Sequence, residues 1–578
     1  MSINYSNLVP FLNQIIRYER CALMKRVITL LFPVFASLAA VIYSVTPASA
    51  APPYPCATRW QRHGEELYEA NDRYGSAIAL GDLNGDGRAD VAIGAPTASH
   101  EPSSSMASGK VYVYYSTGPV PASPFDWKGE PHDIAGRSSF WDDHYGRSVA
   151  IGQVNGDSYA DLAVGVPGSG RVYVYHGSAG GLASHNWLIE THPPDSANGF
   201  SDEFGSSVAW GDLNGDGYDD LIVGAPAYDN GQSDEGGVFV WYGSASGLDP
   251  GQASLAAADW AAEADQGEAH FGSYLAVGDL NNDGYSDLAV TAPDYDHLAT
   301  NDGVIFVWEG SAAGLGANAD WQAHNDSGTT QLGAAKGVVL GDFDGDGYDD
   351  LAVANGQRSE VYVWNGSASG LGATGTGSNA AQVLTGTTGT AYGAALAAGD
   401  VDNDGFSDLL IGAPGDDSYS LDTGRVWLRR GSPTNLSSHI TGLTQGYATS
   451  PSSISAQAQD GLTLAAGDVT GDGYADIISG APHHQAKGLD TGAAYFYNGY
   501  DNTAPTAVTI SELGGAVDDT WQEAVDDPAF DWTDATDDDQ VWRYLTYWGS
   551  DAGGSPTNAT DQTDYDPDPP GLGIDTVR

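Results

Sequence analysis

Short apolar runs separated by polar, glycine-rich turns recur along most of the chain, with the period of β-strands rather than helices. Val111–Tyr115 and Val238–Tyr242 alternate in the manner of strands. Other runs, such as Val91–Gly94, are apolar throughout and are followed by Ala-Pro, where proline ends the hydrogen-bonded ladder. No amphipathic helical stretch separates these runs. The pattern therefore predicts an all-β chain.

A nine-residue acidic loop lies between two of these runs and recurs along the chain. Asp82–Asp90 reads Asp-Leu-Asn-Gly-Asp-Gly-Arg-Ala-Asp, with oxygen-bearing side chains at positions 1, 3, 5 and 9 and glycine at position 6. Copies begin at residues 82, 153, 212, 279, 342, 400 and 468. Self-similarity at a nearly fixed period indicates a repeat architecture.

The loop has the composition of a calcium site. Ca²⁺ takes about 6–8 oxygen ligands at roughly 2.3–2.6 Å, and glycine at position 6 permits the sharp turn. Position 7 varies, as expected if only its carbonyl binds. The loop is not an EF-hand, because its last acid is at position 9 and a strand follows at once. A single copy could equally be an acidic turn, but six good copies in one context favour calcium.

The second copy is degraded, since Gln153 replaces the first acid and Ser158 replaces the glycine, and the seventh has Thr470 at position 3. We expect about six Ca²⁺ sites. The predicted metal ligands, with position 7 acting through its carbonyl, are Asp82, Asn84, Asp86, Arg88, Asp90, Asn155, Asp157, Asp161, Asp212, Asn214, Asp216, Tyr218, Asp220, Asp279, Asn281, Asp283, Tyr285, Asp287, Asp342, Asp344, Asp346, Tyr348, Asp350, Asp400, Asp402, Asp404, Phe406, Asp408, Asp468, Thr470, Asp472, Tyr474 and Asp476.

Each unit of about 60 residues holds four predicted strands, and the fourth usually carries a tryptophan. Four short strands per repeat predict blades around an axis, so the chain is expected to form a seven-bladed β-propeller with four-stranded antiparallel blades. A closed ring must cover its last edge. The extra strand Thr58–Arg62 is predicted to be the outer strand of blade 7, and the tryptophans are predicted to pack between blades.

Paired motifs bracket each loop: an aromatic-Gly pair such as Tyr74–Gly75 before it, and Gly-Ala-Pro such as Gly94–Pro96 after it. This arrangement resembles the FG-GAP repeats of integrin α-subunit propellers. The resemblance implies the propeller fold, with calcium loops between the first and second strands of the blades. The spacing leaves no room for an inserted ligand-binding domain, so the resemblance transfers the scaffold and its metal loops rather than the receptor's function.

Three regions are predicted. Residues 1–50 are an N-terminal extension and signal peptide, with Met24 as the expected start and cleavage after Ala50. Residues 57–502 form the propeller. Residues 503–578 form a partial fibronectin type III-like β-sandwich segment or an acidic disordered tail, since they are shorter than the roughly 100 residues of such a sandwich. Of the two cysteines only Cys56 remains after cleavage, which excludes a disulfide framework.

The formal net charge of −56 excludes nucleic acid as a partner, because nucleic-acid binders present basic faces. No segment of the mature chain has the roughly 18 apolar residues of a membrane span. We expect a secreted or cell-surface protein with a monomeric propeller.

The leading hypothesis is a non-enzymatic binding or adhesion module for an extracellular protein or polysaccharide, with calcium in a structural role. The alternative is an extracellular polysaccharide hydrolase or lyase on the same scaffold, because a fold does not decide function. Binding residues are expected on the face opposite the loops. The candidates there are Phe140, Trp141, Tyr228, Tyr295, Tyr419, His483 and His484.

Overall fold

The computed structural model divides the chain into two units, Met1–Pro55 and Cys56–Arg578. The first unit lies outside the described residues, so the signal peptide stays a prediction. The described residues are 60–62, 72–99, 108–117, 125–130, 143–182, 186–191, 202–324, 331–334, 336–417, 423–434, 436–437, 440–443, 458–486, 489–499 and five short strands after residue 509.

Seven sheets form the blades, each with four antiparallel strands, and six of them take these strands in chain order from one stretch of sequence. Blade 4 has an additional two-residue strand, Gly375–Thr376, that pairs in parallel with its outer strand. The strands of each blade are given from the inside of the ring outwards. Blades 1 to 3 consist of Ala77–Gly81, Asp90–Ala95, Lys110–Tyr114 and Trp127–Gly129; of Ser148–Gly152, Asp161–Val166, Arg171–Tyr175 and Trp187–Glu190; and of Ser207–Gly211, Asp220–Ala225, Gly237–Trp241 and Trp260–Glu263.

Blades 4 and 5 consist of Leu275–Gly278, Asp287–Ala292, Val304–Trp308 and Trp321–His324, and of Val338–Gly341, Asp350–Asn355, Glu360–Trp364 and Gln382–Thr385. Blades 6 and 7 consist of Leu396–Gly399, Asp408–Ala413, Arg425–Arg429 and Ile440–Leu443, and of Thr463–Gly467, Asp476–Ala481, Ala493–Tyr497 and Trp60–Arg62.

Elements outside the blades are few and short among the described residues. They are the 3₁₀ turns Pro167–Ser169, Pro250–Gln252 and Leu255–Ala257, the strand Ala368–Leu371 and the hairpin Gln485–Ala486 with Leu489–Asp490. The fold is therefore the predicted all-β propeller, without an α-helix in the described part of the chain.

The second strand of every blade is buried along its whole length, as its continuous apolar run predicts. Seven apolar clusters lie between adjacent blades, including one between blades 7 and 1. Each blade thus shares a core with both neighbours, because a single sheet cannot bury both of its faces alone.

The ring closes as predicted from the sequence. Trp60–Arg62 pairs antiparallel with the third strand of blade 7, in the register Trp60↔Phe496, Gln61↔Tyr495 and Arg62↔Ala494. On the inside, the first strand of each blade contacts the first strands of both neighbours around the complete circle. The N-terminal part of the propeller therefore covers the strand edge that its C-terminal part would leave open.

Tryptophans of the fourth strands pack between blades, which confirms their predicted role. Trp127 lies edge-on to Tyr175 of blade 2, with ring centroids 5.0 Å apart. Trp187 contacts Trp241 of blade 3 in the same way, at 5.8 Å. Trp260 with Trp308 and Trp321 with Trp364 repeat the contact. Edge-to-face aromatic pairs stabilise beyond their buried area, so these contacts reinforce successive blade junctions.

The two paired motifs meet across the blade junctions on the face opposite the acidic loops. The amide of Gly75 donates to the carbonyl of Gly94 within blade 1, at 3.0 Å. A Cβ at Gly94 would lie 2.1 Å from the carbonyl oxygen of Gly146 in blade 2. Glycine therefore stands at this position in five blades, where backbone of one blade touches backbone of the next. Thr291 and Ala354 replace it in blades 4 and 5.

After residue 509 the structure describes five short strands. Ile510–Glu512, Phe530–Trp532 and Asp564–Tyr565 form one sheet, and Tyr544–Thr546 pairs with Asn558–Thr560. The fibronectin type III-like sandwich is not confirmed by these strands and stays a prediction.

Candidate metal loops

The aspartate at position 9 fixes each loop to its own blade. Asp90 is fully buried, and its two carboxylate oxygens accept the amides of Leu83 at 3.0 Å and Ser116 at 2.8 Å. The first amide lies in the loop and the second follows the third strand. The same two acceptor contacts recur at Asp161, Asp220, Asp287, Asp350, Asp408 and Asp476. Most of these oxygens accept one amide and keep a second lone pair that can bind a cation. Oδ1 of Asp90 and Oδ2 of Asp476 accept a second donor, from Asn84 and Thr470 respectively.

The aspartate at position 1 organises the turn itself. Asp82 accepts the amides of Gly85 at 2.6 Å, Asp86 at 3.1 Å and Gly87 at 2.7 Å. Asn84 accepts the amide of Asp86, and Asp86 accepts that of Arg88. These bonds wind the backbone so that the side chains of positions 1, 3 and 5 lie on the inside of one loop.

Two positions in the loop require left-handed backbone. Position 6 has φ between 86° and 91° in six loops, all with glycine, whereas Ser158 of blade 2 does not adopt a positive φ. Position 4 is also left-handed in all seven loops, with glycine in five and Asn282 and Asn403 in the others. Asparagine tolerates this region better than most residues. The sequence carried this second signal, and our interpretation missed it.

Hydrogen bonds join each loop to the loop of the preceding blade. The amide at position 8 donates to the carbonyl at position 1, as from Ala160 to Asp82 at 2.8 Å. Seven such bonds complete the circle, with lengths of 2.8 to 3.0 Å; the donors are Ala89, Ala160, Asp219, Ser286, Asp349, Ser407 and Ala475. The residue at position 1 therefore shapes its own loop through its side chain and holds the next blade through its carbonyl.

Side chains at position 7 also cross the blade junctions. A Cβ at Gly85 would lie 2.7 Å from Cε1 of Tyr159 in blade 2, and one at Gly215 would lie 2.3 Å from Cε1 of Tyr285 in blade 4. At ring closure Arg88 of blade 1 covers Gly471 of blade 7. The variability at position 7 suggested that only its carbonyl mattered, but its side chain packs on position 4 of the preceding loop.

Carboxylates converge most closely in blades 5 and 6. Asp342, Asp344 and Asp350 each place one oxygen within 4.8 Å of the others, and so do Asp400, Asp402 and Asp408. These are the only such groups of three or more metal-ligating His, Cys, Asp or Glu residues among the described residues. In the other five loops the side chain at position 3 is an amide or a hydroxyl, which is not among these four residue types.

The blade 6 loop contains a buried oxygen that fits a cation. Asp402 is buried, and its Oδ2 pairs with Arg430 at 3.1 Å. Its Oδ1 is buried without a hydrogen-bond partner. A buried carboxylate oxygen without a partner is costly, and coordination of a divalent cation would satisfy it. The donor set of hard oxygens suits Ca²⁺ or Mg²⁺ rather than a softer metal.

In the degraded loop the side-chain amide of Gln153 binds two backbone carbonyls of its own loop. Nε2 of Gln153 donates to the carbonyl of Asp157 at 2.5 Å and to that of Tyr159 at 3.1 Å. The carbonyls thus belong to positions 5 and 7, and position 7 is the expected carbonyl ligand. Gln153 therefore closes this loop with hydrogen bonds of its own side chain, so Asn155, Asp157 and Asp161 remain the weakest of the predicted ligand sets.

Burial raises the pKa of the carboxylates at position 9. Burial raises the pKa of Asp90 to about 7, against the lowering effect of its two amide donors, and the carboxylates of Asp86 and Asp82 raise it further. The same cause raises the pKa of Asp220 and Asp350 to about 7. A neighbouring divalent cation would favour the ionised forms of these groups.

On the face opposite the acidic loops, the candidate residues that the structure describes pack within their own blades. Tyr228 and Tyr295 are half-buried and pack edge-on against Phe239 and Phe306. His484 is buried, with Nδ1 3.0 Å from the hydroxyl of Tyr495. His483 is half-buried, and Phe140, Trp141 and Tyr419 lie outside the described residues.

The repeats match known family profiles. Residues 74–114, 145–175, 204–241, 271–308 and 461–497 match the FG-GAP repeat. Residues 342–411, in blades 5 and 6, match the FG-GAP-like repeat. The chain is an FG-GAP repeat propeller of the kind that integrin α-subunits carry. The matched segments fall in all seven blades of the FG-GAP propeller, in agreement with the closed ring.

Curated relatives include integrin α-subunits and a phospholipase. Integrin alpha-PS2 of Drosophila melanogaster is 29% identical in an alignment 364 residues long that covers 56% of this chain and 25% of that protein. Integrin alpha-5 of Xenopus laevis is 28% identical over 254 residues, 42% and 22%. Phosphatidylinositol-glycan-specific phospholipase D of Bos taurus is 30% identical over 225 residues, 36% and 25%. The matched part of this chain thus spans about a quarter of the length of these relatives.

In the described part of the chain, no helix has the length and apolar character needed to cross a membrane.

Proposed function

We propose that this protein is an exported, calcium-stabilised FG-GAP propeller that acts as a binding module for an extracellular protein. Calcium would occupy about six loops, those of blades 1 and 3 to 7, in a structural role. The observation that carries the calcium part is the convergence of Asp342, Asp344 and Asp350 within 4.8 Å in a loop wound by its own amides.

The expected ligands are the side chains at positions 1, 3, 5 and 9 and the carbonyl at position 7. When bound, Ca²⁺ would offset the repulsion among these carboxylates. Since the position 1 carbonyl accepts a bond from the next blade, a cation that fixes position 1 also fixes the blade junction. This linkage supports a structural rather than a catalytic role.

The relatives support a binding role. Two of the relatives described above are integrin α-subunits, and the family resemblance rests on the propeller that this chain shares with them. The basic, apolar and cleavage-like segments of residues 24–50 support export. The loops opposite the acidic face are the proposed contact surface, because variable loops on a rigid frame commonly carry binding residues.

Two experiments test this function. Calorimetric titration of chelator-treated protein should give about six Ca²⁺ per chain, and a count near zero would reject the calcium part. Immobilised protein should retain an extracellular matrix protein saturably in calcium and release it in chelator. Retention of a polysaccharide instead would show that the partner is a polysaccharide rather than a protein. Release of a hydrolysed or eliminated product from the polysaccharide would show that the protein is an enzyme rather than a binding module.

A further inference from the structure

A cavity of about 330 Å³ lies inside the ring where the first strands begin, at the end opposite the acidic loops. Its wall is mixed. Ile78, Val208, Leu275 and Leu396 contribute apolar side chains, and Ser148, Ser206, Ser207 and Ser273 contribute hydroxyl groups between them. Cavities of this size accept small ligands. It is separate from the metal loops, which lie at the other end of the same strands.

Two cations from different blades face this cavity. Lys336 of blade 5 and Arg147 of blade 2 both line it. Lys336 extends across the channel, and its Nζ donates to the carbonyl of Ser76 in blade 1. An ammonium group has three donors, so two remain available to a ligand. Positive charge here is unusual in a chain of net charge −56.

No described carboxylate neutralises the ammonium. Burial, with a smaller effect from the charge of Arg147, lowers the pKa of Lys336 from 10.5 to about 7, and no acidic group acts in the opposite direction. Glu203 also lines the cavity, but its charge raises the pKa of Tyr274 and not that of Lys336. The imidazole of His270, which also lines the cavity, is paired with Asp294 at 2.8 Å.

Lys336 owes its position to a feature of blade 5 alone. Asp342 is the tenth residue after Leu332, whereas the first loop residue is the eighth after the corresponding position in the other six blades. Lys336 lies ahead of the first strand of blade 5, where it forms an isolated parallel bridge with Ala395 of blade 6. Its carbonyl accepts the amide of Leu396 at 3.1 Å.

We propose that the channel mouth binds one organic carboxylate, with its charge between Lys336 and Arg147 and its apolar body against the first strands. A carboxylate would accept hydrogen bonds from the remaining donors of Nζ and from the guanidinium. Polyanions fit less well, because Glu203 and the overall charge of the protein repel them. The proposal is independent of the calcium loops and of the protein partner.

The rate at which Lys336 is acetylated reports whether a ligand covers its amino group. The rate can be followed for each lysine separately, since the chain has only five lysines. Full-length protein in saturating calcium would be treated with trace acetic anhydride at pH 7, with N-acetylleucine or the neutral N-acetylleucinamide as the probe. N-acetylleucine should slow acetylation of Lys336 at least about three-fold, and the amide should not. Lys128, which pairs with Glu130 at 2.7 Å, serves as the internal control and should respond to neither probe.

Two variants complete the test. Arg147→Gln should weaken the protection of Lys336 several-fold. In thermal melts, N-acetylleucine should raise the midpoint of the wild type above the value with the amide, and Lys336→Met should remove that difference. Equal effects of acid and amide, a retained difference in Lys336→Met, or a Lys336 that does not react at all would each overturn the proposal, because a channel closed to acetic anhydride is closed to the larger probe.

Discussion

The amide of Ala89 in blade 1 donates a 2.8 Å hydrogen bond to the carbonyl of Asp468 in blade 7. Asp468 also accepts three amides of its own loop through its side chain. One residue therefore couples the conformation of the last loop to the closure of the ring. The same coupling recurs at the other junctions, so loop order and blade contact are expected to be lost together.

Removal of calcium should destabilise the whole propeller. A site filled at about 100 times its dissociation constant stabilises the folded state by about 2.7 kcal/mol, so loss of several sites should lower the thermal midpoint on the order of 10 °C. Scanning calorimetry with and without chelator measures this. Added Ca²⁺ should restore the midpoint better than Mg²⁺, which demands a smaller octahedral site. An unchanged melt would argue against structural calcium.

Substitutions at position 5 should distinguish a working loop from the degraded one. Asp216→Ala removes a predicted ligand in blade 3 and should lower the calorimetric count of Ca²⁺ by one. Asp157→Ala is the matched control, because Gln153 closes that loop without a cation, and it should leave the count unchanged. Equal losses in the two variants would contradict the different roles assigned to the two loops.

The degraded loop should be convertible into a metal loop. Gln153→Asp with Ser158→Gly restores the first acid and the left-handed position 6, and the double variant should bind one additional Ca²⁺. In the absence of calcium it should be less stable than the wild type, since it loses the amide hydrogen bonds of Gln153. Titration and chelator melts of the same sample test both parts, and an unchanged count would refute the first.

Two glycines in one loop should differ in their tolerance of alanine. Gly217→Ala meets no atom within 4 Å, so only its φ of 88° opposes the change, at about 1 kcal/mol. Gly215→Ala would also press on Tyr285 of blade 4 and should cost roughly 1–3 kcal/mol more. Urea unfolding in saturating calcium gives both values. Tyr285→Ala should recover part of the loss in Gly215→Ala, whereas additive losses would exclude the contact.

The lowered pKa of Lys336 should make the stability of the protein depend on pH between pH 7 and pH 10. Burial lowers the pKa of Lys336 to about 7, so the folded protein releases this proton near pH 7 while the unfolded chain keeps it to about pH 10.5. The unfolded state then binds more protons between these values, and the stability of the wild type relative to Lys336→Met should rise from pH 7 to pH 10. Below pH 7 the difference should be constant. Thermal midpoints at each pH measure it, and a difference that falls with rising pH would contradict the buried ammonium.

The blades and the acidic loops could be predicted because their signals are local. Strand alternation, glycine at position 6 and the recurring acids each depend on residues near one another in sequence. The outer strand Trp60–Arg62 was predicted for a different reason, since a ring leaves one edge to be covered and one unassigned strand remained.

Contacts between loops could not be predicted in the same way. The bond from Ala160 to the carbonyl of Asp82 joins two backbone groups, which every residue except proline supplies. The contact of Tyr159 with Gly85 could be predicted only if position 7 of one loop were known to lie against position 4 of the preceding loop. The displaced Lys336 did leave a trace, because blade 5 has ten residues where the others have eight, but its direction across the channel depends on the fold.

Because Trp60–Arg62 completes the sheet of Ala493–Tyr497, the chain cannot finish its fold in the order of its synthesis. Trp60–Arg62 stays without its strand partner until more than four hundred later residues have been synthesised. Pairing over so great a sequence separation is slow, which makes ring closure the expected last step of maturation. A nascent chain released before Tyr497 would expose the strand edge of its final blade to neighbouring chains.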